Sequence, residues 1–110
     1  MLRTLRQYCP EVHVHVLCMD EKTYDILQQL NLSQVSYLKL SEIEDEALLA
    51  VKPARTLAEY CWTLSPCLPW YILNNNPSIE SITYLDADMC FYSPLQPLFD
   101  EIGKASIVII

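Results

Sequence analysis

The chain has 110 residues, a formal net charge of −7 and 52% hydrophobic residues. This length predicts a single domain over residues 1–110, either a small one or a portion of a larger one. The acidic balance, with no basic stripe, argues against nucleic acid and anionic membrane surfaces as partners. Gly103 is the only glycine, which argues against the glycine-rich phosphate loops of P-loop and Rossmann proteins.

The cysteine pattern and the absence of long apolar runs indicate the compartment. Five cysteines occur without any C-x-x-C pair, and they stand in apolar contexts where free thiols are usually buried. We therefore expect no disulfide framework and a reducing environment. No run of residues reaches transmembrane length, and the first residues lack the apolar core of a signal peptide. The sequence thus predicts a soluble, cytoplasmic protein without a membrane span.

Helical and strand-like patterns alternate in the first forty residues. Apolar spacing predicts a helix over Leu2–Tyr8, and alternating β-branched residues predict a strand over residues 12–17. Asp20 can cap a helix over residues 21–30. A second strand is expected over residues 35–40.

Two histidines share one face of the first predicted strand. His13 and His15 are two residues apart, and strand side chains alternate between faces. Such a pair can ligate a metal, but nothing nearby in the sequence supplies a third ligand. We interpret the two side chains as a half-buried or solvated pair.

Two capping-box patterns mark helix starts in the middle of the chain. Residues 41–44 open an acidic helix that is predicted to continue through Val51. Its acidic first turn fits a solvated, dipole-favoured helix start better than a metal site. Residues 56–59 repeat the pattern and predict a helix to about Leu64, and Pro66 is expected to begin a second segment.

The stretch around residues 81–92 carries the clearest functional signal. Residues 82–85 are β-branched, aromatic or aliphatic, as in a buried strand. Asp86 and Asp88 then interrupt the apolar run, and desolvated carboxylates need a cation or protonation. Ligands gather at the carboxyl ends of strands in α/β sheets, so this pair could hold a hard divalent cation. The structural alternative is that both aspartates only open a turn.

The end of the chain predicts one more helix and one more strand. Ser93 and Pro94 form an N-cap and first-turn pair, and Gly103 suits the end of that helix. Residues 105–110 read as a very apolar strand, which suggests a fragment or association with another copy. About four strands alternating with helices predict an α/β sheet with parallel pairs.

The segment Tyr-Leu-Asp-Ala-Asp at residues 84–88 resembles the DxD motif of nucleotide-diphospho-sugar transferases of the GT-A fold. Residues 89–99 are similar to the strand and short helix that follow that motif, and residues 52–66 to the helix before it. The resemblance covers roughly residues 10–110. It implies a three-layer α/β/α architecture with a mostly parallel sheet, of which this chain would be a partial, donor-side portion.

The resemblance also implies a chemistry and a set of site residues. It implies a glycosyltransferase that uses Mn²⁺ or Mg²⁺ to transfer a sugar from a nucleotide-diphosphate sugar, most often a UDP-sugar, to an acceptor that the sequence does not identify. Asp88 would ligate the metal, Asp86 would lie toward the ribose and the metal, and Ala87 would belong to the same nucleotide-sugar-binding segment. Arg55 could contact the diphosphate or pair with Glu59 one turn on. No catalytic residue is assigned.

Three aromatic residues and two rival functions complete the expectations. Trp62, Trp70 and Tyr71 are expected in the core and not on a sugar platform. The chain lacks the first strand and the C-terminal half of the family, so the alternative is a non-catalytic remnant or interaction module. A phosphotransferase of the haloacid-dehalogenase type is disfavoured, because Met89 and Cys90 stand where that family carries other residue types.

Overall fold

The described part of the chain forms two compact units. A computed structural model of the protein describes residues 1–103. The larger unit is His13–Tyr84, and the smaller one combines Met1–Val12 with the chain from Leu85 onward. The predicted mixture of helices and parallel strands is confirmed in the larger unit. In chain order the elements are α1 (Leu2–Tyr8), β1 (Val14–Cys18), α2 (Glu21–Gln29), β2 (Val35–Lys39), α3 (Leu40–Ile43), α4 (Glu46–Val51), a 3-10 turn (Lys52–Ala54), α5 (Leu57–Asn75) and α6 (Gln96–Ile102).

A parallel pair of strands joined by a helix is the centre of the larger unit. β1 and β2 pair in parallel, with His15 opposite Ser36. The connecting helix α2 begins as predicted, because the Asp20 carboxylate accepts a 2.8 Å hydrogen bond from the Thr23 backbone N–H. Lys39 on β2 forms a 2.7 Å ion pair with Glu21 on α2. These contacts tie the crossover helix to the strand that follows it.

The main apolar cluster of this unit lies among the helices that follow β2. Its buried members are Ile43, Leu48, Tyr60 and Leu64, of which Leu64 is 2% exposed. Burying each such side chain contributes about 1.5–3 kcal/mol, which makes this cluster a main source of stability. Partly buried residues from β1, the segment directly after it, α3 and α5 pack around it: Leu17, Met19, Leu40, Cys67, Leu68 and Tyr71.

The acidic helix predicted through Val51 is wrong as a single element. It is divided into α3 and α4 because Glu44 adopts an extended backbone conformation. Asp45 then caps α4 by accepting a 2.8 Å hydrogen bond from the Leu48 N–H. The Glu42 carboxylate accepts from the Lys39 backbone N–H at 2.6 Å, so α3 begins at Leu40 and not after Ser41. Two competing caps in a short stretch explain the break.

Helix α5 is one continuous helix, where two segments were predicted. It begins as expected at the Thr56 capping box, in which Glu59 accepts a hydrogen bond from the Thr56 backbone N–H. It then continues through Pro66 and Pro69. Buried Leu64 and Ile72 lie on either side of the prolines. Their burial offsets a proline penalty of about 3 kcal/mol per residue in a helix interior.

The strand predicted before the two aspartates is not present as a paired strand. Residues 79–86 have no regular secondary structure, and the backbone of residues 80–85 makes no hydrogen bond to another described backbone group. A strand is defined by its ladder partners, and composition alone does not supply them. The strand predicted over residues 105–110 lies outside the described residues.

The smaller unit is held together by contacts between α1 and the segment that precedes α6. Leu5 on α1 is 1% exposed, and Phe91 is 8% exposed. The Phe91 backbone N–H donates a 3.1 Å hydrogen bond to the Thr4 hydroxyl. Helix α6 begins at Gln96, two residues after the predicted start at Pro94, and ends as expected at Gly103 with a φ of +51°.

Candidate functional site

Asp86 and Asp88 lie on an exposed turn of the smaller unit. Both side chains and that of Ala87 between them are exposed, and residues 87–88 form the turn itself. The Met89 backbone N–H donates a 3.2 Å hydrogen bond to the Asp86 carbonyl, which closes the turn. The motif residues therefore lie on a turn that follows a segment without regular secondary structure, and not at the end of a paired strand.

The two carboxylates have no counter-charge in the described part of the chain. The two ion pairs found there are Lys39 with Glu21 and Lys52 with Glu44. No hydrogen bond from a described residue reaches the side chain of Asp86 or Asp88. Both groups are thus free to take ligands. At the same time, the described residues hold no group of three or more His, Cys, Asp or Glu side chains placed for a metal ion.

The chain directly after the Asp86–Asp88 turn is anchored to α1. Phe91 follows three residues after Asp88, and it is both buried and hydrogen-bonded to Thr4 of α1. Between them, Met89 and Cys90 are exposed. The aspartates are therefore anchored through the backbone of a buried neighbour, while their own side chains remain in solvent.

Arg55 lies at the start of α5 in the larger unit and is exposed. Its guanidinium donates a short hydrogen bond to the Thr63 hydroxyl. It forms no ion pair with Glu59, whose carboxylate instead accepts hydrogen bonds from the Thr56 N–H and hydroxyl, both at 2.8 Å. Those two hydrogen bonds lower the pKa of Glu59 below its usual range. Of the two roles predicted for Arg55, the ion pair with Glu59 is wrong, and the diphosphate contact stays a prediction.

The acidic cluster after β2 serves the structure, as the sequence predicted. Glu42 and Asp45 accept hydrogen bonds from backbone N–H groups at helix starts. Glu44 accepts from both the Lys52 ammonium at 2.6 Å and the Tyr60 hydroxyl at 2.7 Å. These carboxylates are therefore occupied, in contrast to Asp86 and Asp88.

His15 is the second residue of β1, and His13 lies directly before that strand. The two imidazole rings are in contact. The ring centroids are 4.9 Å apart and the planes are tilted by 53°. Nε2 of His13 lies 2.8 Å from the Ser36 hydroxyl on β2. Burial, followed by the neighbouring His13, lowers the pKa of His15 below its usual value. The expectation of a half-buried or solvated pair is confirmed, since His13 is exposed and His15 half-buried.

The two tryptophans are exposed, and the expectation that they belong to the core is wrong. Trp62 is 72% and Trp70 is 68% exposed, whereas Tyr71 packs against the main apolar cluster. A helix that breaks at Pro66, as predicted, would not align residues 62, 66 and 70 at helical spacing. A continuous helix places these positions on one exposed face.

The fold and the site together define a mixed α/β protein with an exposed Asp-x-Asp turn. The chain is 35% identical over 109 residues to the uncharacterized protein YfnF of Bacillus subtilis (strain 168), an alignment that covers 99% of this chain and 36% of the relative. It is 36% identical over 107 residues to the uncharacterized protein YfnD of the same organism, covering 97% of this chain and 34% of the relative. The chain thus spans about a third of the length of these relatives. No family model and no solved structure matches it.

The helices of the described residues carry no candidate membrane span. None of them combines the length and the apolar character that crossing a bilayer requires. The cytoplasmic location stays a prediction.

Proposed function

We propose that Asp86 and Asp88 hold Mn²⁺ or Mg²⁺ and, through that ion, the diphosphate of a nucleotide-sugar donor. The observation that carries the proposal is the state of the two carboxylates. Both are exposed on one turn, and neither has a cationic or hydrogen-bonding partner among the described residues. Elsewhere in the described chain, Glu42, Glu44 and Asp45 are all engaged in structural contacts.

The donor set suits a hard cation that shares its ligands with a substrate. Mg²⁺ is usually bound by one or two carboxylates, with water and substrate phosphate oxygens completing the octahedron. Two aspartates separated by one residue supply the one or two carboxylate ligands that such an ion takes from the protein. A dedicated all-protein site would need more ligands, and the described residues do not bring a third one to the turn.

The proposed reaction is transfer of the sugar from a nucleotide-diphosphate donor, a UDP-sugar in the first instance, to an acceptor. A bound cation would stabilise the charge that develops on the leaving diphosphate. Asp86 and Asp88 would hold that ion, and the Asp86–Asp88 backbone would lie against the nucleotide. A diphosphate contact by Arg55 stays a prediction from the resemblance, and its exposed guanidinium donates a hydrogen bond to the Thr63 hydroxyl.

The three-layer GT-A architecture is part of the same proposal. The parallel β1–α2–β2 unit supports it, because such units build mostly parallel sheets covered by helices. Since the relatives are about three times as long, transfer activity is proposed for a protein of that length, and donor binding for this chain.

A non-catalytic remnant or interaction module is the alternative. The observation that favours it is the lack of a third metal-ligating side chain near the turn among the described residues. Metal-dependent donor binding distinguishes the two functions, because an interaction module has no need for it.

Calorimetric titration of UDP and UDP-glucose, with and without Mn²⁺, tests donor binding directly. We expect binding that requires Mn²⁺ and that is lost in Asp88→Ala. Glu80→Ala is the matched control, because Glu80 is also exposed and its removal changes the net charge equally. The control should bind like the unaltered chain. Absence of binding by a folded sample, or equal loss in both variants, would refute the proposal.

A further inference from the structure

The rings of His13 and His15 lie close enough together to share one metal ion. The two are the only histidines of the chain. Their ring centroids lie 4.9 Å apart. Two imidazoles that share one Zn²⁺ at about 2.0–2.1 Å and near-tetrahedral angles have centroids roughly 5.2 Å apart. The observed spacing is close to that distance, so a small adjustment of the rings would let them share one ion.

The pairing of the strands explains why the two rings stay together. His13 and His15 are two residues apart, so their side chains leave the strand on the same face. Ser36, the register partner of His15, lies on β2 and contributes its hydroxyl to the same face. That hydroxyl lies 2.8 Å from Nε2 of His13 and therefore restrains the ring. A hydrogen bond to one ring nitrogen commonly orients the other toward a metal.

The histidine pair is accessible to solvent and takes part in no ion pair with the described residues. His13 is exposed, so solvent reaches the pair. Neither histidine forms an ion pair, because the ion pairs of the described residues involve other side chains. The His15 ring makes no hydrogen bond to another described residue, and its contact partner is the His13 ring. An imidazole nitrogen in this position can accept a metal ion without first giving up a protein partner.

We propose that His13 and His15 form a two-histidine binding site for a borderline transition-metal ion such as Zn²⁺, Ni²⁺ or Cu²⁺. The remaining coordination positions are filled by water, and the Ser36 hydroxyl orients His13. Imidazole ligands suit these ions, whereas Mg²⁺ and Mn²⁺ prefer carboxylate and water oxygens. The histidine site and the Asp86–Asp88 turn therefore select different metals, and neither proposal depends on the other.

Ring signals and calorimetry on the full chain test the site. Because the chain has two histidines, a long-range ¹H–¹⁵N spectrum of the imidazoles contains two ring systems and reports on both. Titration with Zn²⁺ under reducing conditions should shift both sets of signals together, at one ion per chain. Each of His13→Gln and His15→Gln should weaken Zn²⁺ binding roughly tenfold or more, because the second ligand of a chelate acts at a high effective concentration.

Two controls separate the chelate from binding at thiols and from loss of the fold. Cys90→Ser removes an exposed thiol and should leave the affinity unchanged. Circular dichroism without metal shows whether each histidine variant folds, and the ring spectrum of the unaltered chain needs no variant at all. Zn²⁺ binding that leaves either ring signal in place, or single variants that bind as well as the unaltered chain, would overturn the proposal.

Discussion

The Tyr60 hydroxyl donates a 2.7 Å hydrogen bond to Oε1 of Glu44 and thereby joins α5 to the end of α3. The same carboxylate oxygen accepts a 2.6 Å contact from the Lys52 ammonium, which lies 5.4 Å from the centre of the Tyr60 ring. Tyr60 is 3% exposed and belongs to the main apolar cluster. The side chains of Tyr60, Glu44 and Lys52 thus form a polar network next to the main apolar cluster.

Removing the Tyr60 hydroxyl should destabilise the chain. In Tyr60→Phe the Glu44 carboxylate loses one of its two partners while the ring remains buried. Hydrogen bonds to charged groups contribute more than neutral ones, so we expect a loss of about 1–2 kcal/mol in the free energy of unfolding. Urea unfolding at neutral pH measures it.

Tyr37 offers the matched control for that substitution. Its hydroxyl is buried without a hydrogen-bond partner among the described residues. Replacing an unsatisfied hydroxyl with hydrogen removes a desolvation cost, so Tyr37→Phe should be neutral or stabilising. Equal losses in the two variants would contradict the role assigned to the Tyr60–Glu44 bond.

The same network predicts how stability depends on pH. Burial followed by the hydrogen bond to Glu44 raises the pKa of Tyr60 to about 12. The unfolded chain then loses this proton first, so stability should decline from about pH 10 upward. Burial would raise the pKa of Glu44, but the hydrogen bonds from Lys52 and Tyr60 outweigh it and lower the pKa. This contribution is present above the ordinary pKa of a glutamate and is lost as the pH falls through the lowered value.

Urea unfolding across the pH range measures both the alkaline and the acidic decline in the free energy of unfolding. The alkaline decline should be weaker in Tyr60→Phe, which lacks the titrating hydroxyl. An identical alkaline decline in the variant would assign the effect to other groups.

Local signals in the sequence were sufficient for most elements of the larger unit. Asp20 and the Thr56 box predicted helix starts correctly, because a capping side chain and the N–H that it accepts from are only three residues apart. The sequence failed where a distant contact decides. The strand at residues 82–85 depends on a ladder partner, and the continuity of α5 through Pro66 depends on burial of Leu64 and Ile72.

At the candidate site, too, local sequence signals were predictive and features that depend on distant contacts were not. Asp86 and Asp88 were recognisable because two carboxylates interrupt an apolar run. Their exposure was not, because the local pattern left open whether the two aspartates end a buried strand or open a turn. The contact between the His13 and His15 rings depends on β1 being extended, and its restraint by Ser36 depends on the register of β2.

Replacing Pro66 should stabilise the chain. Pro66 lies inside α5 with an exposed side chain, so little packing is lost in Pro66→Ala. Alanine restores a backbone donor to the helix interior, where proline costs about 3 kcal/mol. The greater freedom of the unfolded chain returns about 0.4–1 kcal/mol of that, and we expect a net gain of about 2 kcal/mol. Pro94→Ala, outside any helix, should give no gain in the same thermal unfolding experiment; a gain equal to that of Pro66→Ala would contradict the helical explanation.

The exposed tryptophans predict the fluorescence of the folded chain. Trp62 and Trp70 are the only two tryptophans, and both are mostly exposed. Their emission should resemble that of tryptophan in water and should be quenched efficiently by acrylamide. Emission at short wavelength with weak quenching, in a sample shown to be monomeric by light scattering, would contradict the placement of both residues.

Asp88→Ala should leave the fold intact while removing donor binding. The carboxylate is exposed and has no described partner, and substitutions at such surface positions usually change stability by less than about 0.5 kcal/mol. With UDP and Mn²⁺ at about a hundred times the dissociation constant, the unaltered chain should gain about 2.7 kcal/mol, because ligand binds only the folded state. Thermal unfolding with and without these ligands measures both effects. A variant that unfolds at a much lower temperature without ligand would show that Asp88 has a structural role, and an equal ligand-induced rise in both chains would place the donor away from the Asp86–Asp88 turn.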